Sequence, residues 1–375
     1  MAGYIMNIND IDALEKCVTS GVYSTIMTKP KNRNWNTPQE GTFADYFSMK
    51  QGDSIYFFHK RKIYGIGKIV NVEFDCKYLN YIGADEPVNY SEQSVAQRDA
   101  LLQNSTPDNR CLCTFIPAPY FFMNSVDMDE ALSSNPQKFK ILRTMWKVSF
   151  IKIDDEEDKA LQDVILKRNE DSIVERTNIY TFSDCAHIEI ENKVNANYRL
   201  NAYRILANAE AGNKIKHEMA IEAALCDILQ KENDTPFGKW DYISHQVAAS
   251  PFKPIDYMDK MDIFGYRYID GYKTISKYLV IEIKRDTANE DVIDQIMKYV
   301  DWINQEYAHG DYSMIEAYVI ASDFPKDVIE KRGQQCIRNF TKGYRPTQAC
   351  TWNNCKLIKY SYVNQDIAFI EINNG

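Results

Sequence analysis

The pattern of apolar positions predicts two adjacent strands in the last third of the chain. One is Tyr278–Lys284, in which four apolar residues lead to a Glu-Ile-Lys ending, and the other is Lys260–Tyr266. Residues two apart in a strand share a face, so Glu282 and Lys284 point the same way. The dipeptide Asp270-Gly271 lies between the two runs and predicts a hairpin. The start of the first strand would then lie beside the end of the second.

Acidic residues occur on both strands at this meeting point. Asp262 lies near the start of the first strand and Glu282 near the end of the second. A charge in an otherwise buried strand is costly unless something pairs with it. A metal ion together with a reacting phosphate would supply such a partner.

Spacings of three and four residues predict helices on either side of these strands. The run from Glu290 to Tyr307 carries an apolar stripe of Ile293, Met297, Val300 and Ile303, and near it Gln295 and Tyr299 share a face. An earlier helix begins near Lys216, and on it Glu218 and Glu222 lie four apart. Three further strands are predicted at Met314–Ser322, Leu357–Val363 and Ile367–Ile372, whereas residues 336–355 fit no element.

The first half of the chain has a different succession of patterns. It predicts a helix over residues 9–20 with Asn9 or Asp10 as its cap, strands over 53–58, 63–70 and 146–153, and a helix over 156–168. Gly65 and Gly67 lie two apart in a strand, which predicts a face without side chains and close approach by another backbone or a ligand. Residues 83–110 are polar and predict a loop or lid.

Composition favours a soluble two-domain protein. A length of 375 residues exceeds what a single core usually serves, and 45% hydrophobic with 26% charged residues is ordinary for globular chains. The net charge of −9 does not indicate nucleic-acid binding, but a local basic groove matters more than the total. Nine cysteines without a CxxC pair predict free thiols. No signal peptide and no apolar run near ~18 residues is found, so we expect a cytoplasmic protein without a membrane span.

The order of the C-terminal motifs carries a family resemblance. Asp262, then Glu282-Ile283-Lys284 at the end of the next strand, then a helix with Gln295 and Tyr299, resembles the PD-(D/E)XK nuclease superfamily. The chain is most similar to its RecB-type and NucS-like branch, over about residues 213–325. The resemblance implies a restriction-endonuclease-like α/β core.

The same resemblance implies a divalent-metal site. It implies Mg²⁺, or Mn²⁺ in its place, held by Asp262, Glu282 and the Ile283 carbonyl, while Lys284 orients or activates the attacking water. Carboxylate oxygens are the ligands that Mg²⁺ selects, and a cation neutralises charge that develops on a phosphate. Nucleases of this type also place an acid on the first helix, for which Glu218 is preferred and Glu222 is the reserve.

One alternative for the first metal ligand stays open. The literal Pro-Ile-Asp falls at Pro254–Asp256, so Asp256 and Asp259 compete with Asp262. Asp262 is preferred because it opens a hydrophobic strand at hairpin distance from Glu282, whereas Asp256 follows a proline in a predicted loop.

The N-terminal half resembles the YTH and EVE domains of the PUA-like group. The aligned signals are Val22-Tyr23-Ser24-Thr25, Ser54–Phe58, Gly65-Ile66-Gly67 and Trp146–Asp154. The resemblance implies a small β-barrel with an aromatic pocket for a modified base. Candidate pocket residues are Tyr23, Ser24, Trp35 and Trp146, and Tyr23 departs from the tryptophan common in the family. Stacking a base on such walls contributes about 1–3 kcal/mol.

Together these patterns predict a mixed α/β and α+β protein with a base-recognition domain at 1–184, a helical connector at 185–212 and a nuclease domain at 213–375. The leading hypothesis is a modification-dependent restriction endonuclease that cuts DNA, which would be a homodimer if it cuts both strands. A mismatch- or structure-directed repair nuclease and a nucleic-acid-binding module without activity are the alternatives.

Overall fold

The computed structural model describes residues 2–27, 30, 33–88, 98–144, 149–212, 214–231, 235–250 and 258–372. The chain divides into two compact units, one formed by Met1–Thr42 and Met49–Asn201 and the other by Phe43–Ser48 and Ala202–Gly375. The three-part division at residues 184 and 213 stays a prediction. Among the described residues, no helix is both long enough and apolar enough to span a membrane.

A mixed sheet of eight strands forms the centre of the first unit. Its strands are β1 (Gly3–Asn7), β2 (Val22–Ile26), β3 (Ser54–His59), β4 (Lys62–Ile69), β5 (Lys77–Leu79), β6 (Arg110–Pro117), β7 (Val126–Asp127) and β8 (Phe150–Ile153). The order is β2-β6-β4-β3-β1-β8, with β5 on β6 and β7 on β4. Within the described ranges the path ends at β2 and β8, so closure into a barrel remains a prediction.

Two helices of the N-terminal half were predicted from their local signals. The helices of this half are α1 (Ile11–Ser20), α2 (Thr37–Phe47), α3 (Met128–Ser134), α4 (Asp155–Arg168), α5 (Glu170–Glu175), α6 (Cys185–Lys193) and α7 (Ala202–Asn208), with 3₁₀ turns at Leu142–Thr144 and Ala196–Tyr198. The predicted helix at 9–20 is confirmed, because the Asp10 carboxylate accepts the Asp12 N–H and Gly21 ends the helix at a φ of +64°. The helix predicted at 156–168 is confirmed as α4.

The glycine pair of β4 approaches neighbours closely, but not on one face. A Cβ on Gly65 would lie 2.7 Å from the Tyr56 ring, and one on Gly67 would lie 2.6 Å from Ile55. Ile55 and Tyr56 are successive strand residues and point to opposite faces. The prediction of a single bare face is therefore wrong, because the pairing of β3 with β4 shifts register between Ile55 and Phe57. Side chains of β3, rather than a ligand, occupy the space.

A six-stranded sheet with helices forms the second unit. The helices are α7, named above, with α8 (Glu218–Lys231), α9 (Asp291–Glu306) and α10 (Lys326–Gln335), and a 3₁₀ turn lies at Tyr312–Met314. The strands are β9 (Tyr242–Ala248), β10 (Lys260–Tyr268), β11 (Ile275–Ile283), β12 (Ile315–Ala321), β13 (Arg338–Lys342), β14 (Gln348–Trp352), β15 (Cys355–Val363) and β16 (Asp366–Glu371). The sheet order is β16-β15-β12-β11-β10-β9, and β13 pairs with β14 separately.

Direction changes across this sheet. Strands β11, β12 and β15 run parallel, whereas β9, β10 and β11 form an antiparallel meander. The predicted hairpin is confirmed, since β10 and β11 pair antiparallel around Asp270-Gly271. The apolar stripe of α9 is buried as predicted, and α9 lies against β11 and β12. The unassigned residues 336–355 contain the β13–β14 hairpin.

Candidate active site at the ends of β10 and β11

Two carboxylates meet where β10 begins and β11 ends. The strands pair Ile263 with Ile281, and one further step along the same register places Asp262 opposite Glu282. Directly opposite residues of an antiparallel pair lie on one face, with Cβ atoms about 4.5–5.5 Å apart. Asp262 and Glu282 are therefore neighbours.

Glu282 is the more buried of these two acids. Its side chain is 1% exposed, and its Oε1 accepts a 2.6 Å hydrogen bond from Lys284 Nζ. Its Oε2 is buried and has no hydrogen-bond partner among the described residues. Burial, with the charges of Glu218 and Glu222, raises the Glu282 pKa to about 7 although Lys284 lowers it. A buried carboxylate oxygen without a donor is costly, and a bound cation would remove that cost.

Asp262 is held by two donors. Its Oδ2 accepts the backbone N–H of Ile283 at 2.7 Å, and its Oδ1 accepts from Gln246 Nε2 at 3.3 Å. Burial, followed by the charges of Glu282 and Glu222, raises the pKa of Asp262 well above its usual range. The carboxylate is thus fixed in place while burial disfavours its ionised form.

Helix α8 brings two acids to the same place. Glu218 accepts the backbone N–H of Arg285 at 3.0 Å. Glu222, four residues later and almost fully buried, accepts from Gln246 Nε2 with both of its oxygens, at 3.1 and 3.0 Å. The structure therefore links the reserve residue Glu222 to Asp262 through Gln246. Glu218 instead contacts the backbone of Arg285, the residue that follows Lys284.

A buried histidine lies between Glu222 and Asp45. His245 Nε2 lies 2.9 Å from Asp45 Oδ1, and its Nδ1 lies 3.6 Å from Glu222 Oε2, an ion-pair distance too long for a hydrogen bond. Burial lowers the His245 pKa, but the Asp45 and Glu222 carboxylates outweigh burial and raise it to about 10. His245 is therefore charged at neutral pH.

The predicted pair on α9 lies at the start of β10. Gln295 Nε2 donates to the Tyr299 hydroxyl at 3.0 Å, and that hydroxyl donates to the Lys260 carbonyl at 2.7 Å. Burial raises the pKa of Tyr299, and the charges of Glu282 and Asp262 raise it further. This pair fixes the backbone two residues before Asp262.

The chemistry of these donors fits Mg²⁺ with water completing its shell. Among the described residues, no group of three or more His, Cys, Asp and Glu side chains is arranged to hold a metal. The predicted set of Asp262, Glu282 and the Ile283 carbonyl needs only two carboxylates, and Mg²⁺ usually keeps several waters. Asp256 lies outside the described residues. Asp259 precedes β10 and donates its backbone N–H to Ser250 Oγ at 3.2 Å.

The predicted base pocket is closed where the structure describes it. Tyr23 is 7% exposed and its ring packs 5.7 Å from that of Phe57, while Trp35 is 2% exposed and donates its indole N–H to the Asp85 carbonyl at 2.8 Å. Ser24 Oγ accepts from Arg110 Nη1 at 2.9 Å. Trp146 lies outside the described residues. A base could reach Tyr23 or Trp35 only if the side chains around them moved.

Gln246 and His245 are the site residues that the sequence patterns did not find. Both lie on β9, which was not predicted, and Gln246 adopts a left-handed φ of +51°. The signal that could have found them is a histidine within the run Tyr242-Ile-Ser-His-Gln-Val, because a charged or polar pair inside an apolar strand calls for a partner.

Neither a family model nor a curated protein matches the chain. Among solved structures, it is similar to a repair endonuclease from Pyrococcus abyssi, with 21% identity and a TM-score of 0.21 over 34% of this chain and 46% of that one. The chain thus spans less than half the length of that endonuclease.

Two further solved structures are similar to the chain. A hypothetical protein from Leishmania major has 14% identity and a TM-score of 0.28 over 46% of this chain and 97% of that one. A protein from Agrobacterium tumefaciens has 11% identity and a TM-score of 0.25 over 44% and 92%. At this level of similarity the solved structures assign no function to the chain.

Proposed function

We propose that this chain is a Mg²⁺-dependent endonuclease that hydrolyses DNA phosphodiesters. The observation that carries the proposal is the buried Glu282 carboxylate, which faces Asp262, pairs with Lys284 through one oxygen and leaves the other without a donor. The ion pair with Lys284 alone leaves the second Glu282 oxygen buried without a donor in the described part of the chain. A cation site shared with Asp262 accounts for the second.

Asp262, Glu282 and the Ile283 carbonyl would hold Mg²⁺ or Mn²⁺. The bound cation would neutralise charge that develops on the scissile phosphate. Lys284 supplies a positive charge beside these ligands, and its side chain is 29% exposed. Burial alone would lower the Lys284 pKa, but Glu282 and Asp262 raise it above its ordinary value. In the proposed reaction Lys284 would orient or activate the attacking water.

In this proposal residues 1–184 select the DNA by reading a modified base. That assignment is supported by the sequence resemblance of the N-terminal half, and Tyr23, Ser24, Trp35 and Trp146 are its candidate contacts. A duplex base would first be flipped out of the stack. The whole chain would then act as a modification-dependent restriction enzyme against foreign DNA, and a homodimer would place one site on each strand.

A digestion panel tests the proposal. Matched plasmids with and without methylated bases, together with mismatched unmodified duplexes, are incubated with the full chain and Mg²⁺ or EDTA. We expect Mg²⁺-dependent cutting of modified DNA, lost in Lys284→Ala. The matched control is Lys356→Ala, which removes another partly buried strand lysine, paired with Glu371 at 3.2 Å, and should cut normally.

Three results would contradict it. Absence of cutting on every substrate, or normal cutting by Lys284→Ala, would remove the nuclease assignment. Cutting of mismatched duplexes in preference to methylated DNA would retain the site chemistry and replace base reading with repair.

A further inference from the structure

Gln246 has an unusual backbone for a strand residue. Its φ of +51° lies in the left-handed region, which residues other than glycine rarely adopt. Regular alternation would send His245 and Gln246 to opposite faces of the sheet. Instead both side chains approach Glu222. Sparsely populated backbone conformations persist where surrounding contacts hold them and are concentrated at functional sites.

The Gln246 amide bridges two acids that would otherwise repel each other. Its nitrogen lies 3.1 and 3.0 Å from the two oxygens of Glu222 and 3.3 Å from Asp262 Oδ1. All three partners are carboxyl oxygens, and the amide is oriented with its NH₂ group toward them. Two N–H hydrogens can serve both carboxylates at once.

His245 contacts Glu222, one of the two acids that Gln246 joins. Its imidazole lies between Asp45 and Glu222 and is buried. Its Nδ1 lies 3.6 Å from Glu222 Oε2, so the imidazole and the Gln246 amide both approach the Glu222 carboxyl group. The buried contacts thus form a chain of Asp45, His245, Glu222, Gln246 and Asp262 that ends on a proposed cation ligand.

We propose that Gln246 is a positioning residue of the active site, which holds the Asp262 carboxylate toward the cation by tying it to Glu222. This inference rests on the proposed function and extends it to a residue that contacts a proposed cation ligand, Asp262, through its side-chain amide. Residues that orient metal ligands typically change metal affinity or activity by about 10–100-fold when mutated.

Gln246→Leu tests the inference, with Gln230→Leu as the matched control. Gln230 is a partly buried glutamine of the same unit whose amide donates to the Phe47 and Cys226 carbonyls at 2.8 and 2.7 Å. The measurements are Mn²⁺ affinity by calorimetry and, on modified plasmid, the Mg²⁺ concentration for half-maximal cutting, the KM for DNA and kcat.

We expect Gln246→Leu to raise the Mn²⁺ dissociation constant and the Mg²⁺ requirement about 10-fold or more, with little change in the KM for DNA. Gln246→Asn keeps an amide and suits a left-handed backbone, and should fall between the wild type and Gln246→Leu. Gln230→Leu should lower Tm without changing either metal measurement.

Two outcomes would overturn the inference, and a third separates it from the nuclease proposal. If Gln246→Leu lowers Tm as Gln230→Leu does but binds Mn²⁺ like the wild type, Gln246 is only structural. If the wild type binds no Mn²⁺, the inference fails together with the metal site. If the wild type binds Mn²⁺ and cuts nothing, the nuclease proposal fails alone, and weaker Mn²⁺ binding by Gln246→Leu would still support positioning.

Discussion

The Asp262 carboxylate accepts a 2.7 Å hydrogen bond from the backbone N–H of Ile283 on the neighbouring strand. The N–H and C=O groups of one strand residue face the same neighbour, so the Ile283 carbonyl also faces β10. One peptide segment therefore anchors Asp262 and offers a carbonyl beside it. Rigid strands rather than a loop present these groups, which favours a precise site.

Glu282→Gln should abolish cutting while stabilising the metal-free protein. The wild-type fold pays to ionise a buried acid whose pKa is raised to about 7, and a neutral amide removes that cost. We expect the loss of Lys284's partner to be milder, because Lys284 reaches solvent. Thermal unfolding in EDTA should show a Tm higher by a few degrees, about 2–4 °C per kcal/mol. A lower Tm together with retained cutting would contradict the assignment of Glu282.

Stability of the metal-free protein should depend on pH through Glu282. The folded-state pKa of about 7 lies above the ordinary value of 4.5, so the folded state binds more protons than the unfolded state between these values. The Glu282 contribution is therefore fully present below about pH 4.5 and is lost as pH rises through 7. Denaturant titrations from pH 5 to 8 on the wild type and Glu282→Gln report Glu282 together with its effect on Asp262, since the other buried acids of the chain are common to both. Parallel profiles would refute the prediction.

Metal binding should have the opposite pH dependence. Ligand carboxylates must be ionised to hold a cation, and both Asp262 and Glu282 have raised pKa values. We expect the rise in Tm caused by Mg²⁺ or Ca²⁺ to be larger at pH 8 than at pH 6. Asp262→Asn should show no rise at either pH. An equal shift at both pH values would place the cation elsewhere.

Tyr299→Phe should lower kcat and weaken metal affinity, each by up to about 10-fold. The variant loses the hydroxyl that donates to the Lys260 carbonyl and accepts from Gln295. Loss of one such hydrogen bond costs about 1 kcal/mol of stability, and the freed start of β10 would place Asp262 less precisely. Single-turnover cutting and Mn²⁺ calorimetry measure the two effects. Unchanged kcat and unchanged Mn²⁺ affinity would limit Tyr299 to a structural role.

In the first unit, Glu157→Ala should be strongly destabilising. The buried Glu157 carboxylate accepts the backbone N–H groups of Lys140 at 2.7 Å, of Ile141, and of Leu142 at 3.0 Å. Leaving these donors without an acceptor should cost about 3 kcal/mol or more. Glu156→Ala removes only an exposed ion pair with Lys138 and should cost less than about 1 kcal/mol. Equal losses in chemical denaturation would contradict this.

The sequence predicts elements well where local signals agree with packing. Helix α1 has an aspartate cap and a following glycine, α9 has a continuous apolar stripe, and the β10–β11 hairpin has Asp270-Gly271 at its turn. The same turn explains why the sequence alone could predict that Asp262 and Glu282 lie side by side.

Elements were missed where tertiary contacts override local preference. Helix α2 contains Gly41, a poor helix former, yet Phe43, Tyr46 and Phe47 are buried. Strand β9 has the polar residues Ser244, His245 and Gln246 at its centre, and the left-handed Gln246 breaks its alternation. No local pattern could show that Glu222, rather than Glu218, joins Gln246, since that choice depends on how α8 lies against β9.

Six residues from early in the chain, Phe43–Ser48, belong to the second unit. A fragment that starts after residue 201 would lack Asp45, the acid against His245, and the Phe47 carbonyl that accepts from Gln230. Recombination that exchanges only the C-terminal half between two such proteins would therefore transfer an incomplete core. The shortest continuous segment that contains all of the second unit runs from Phe43 to Gly375, which is most of the chain.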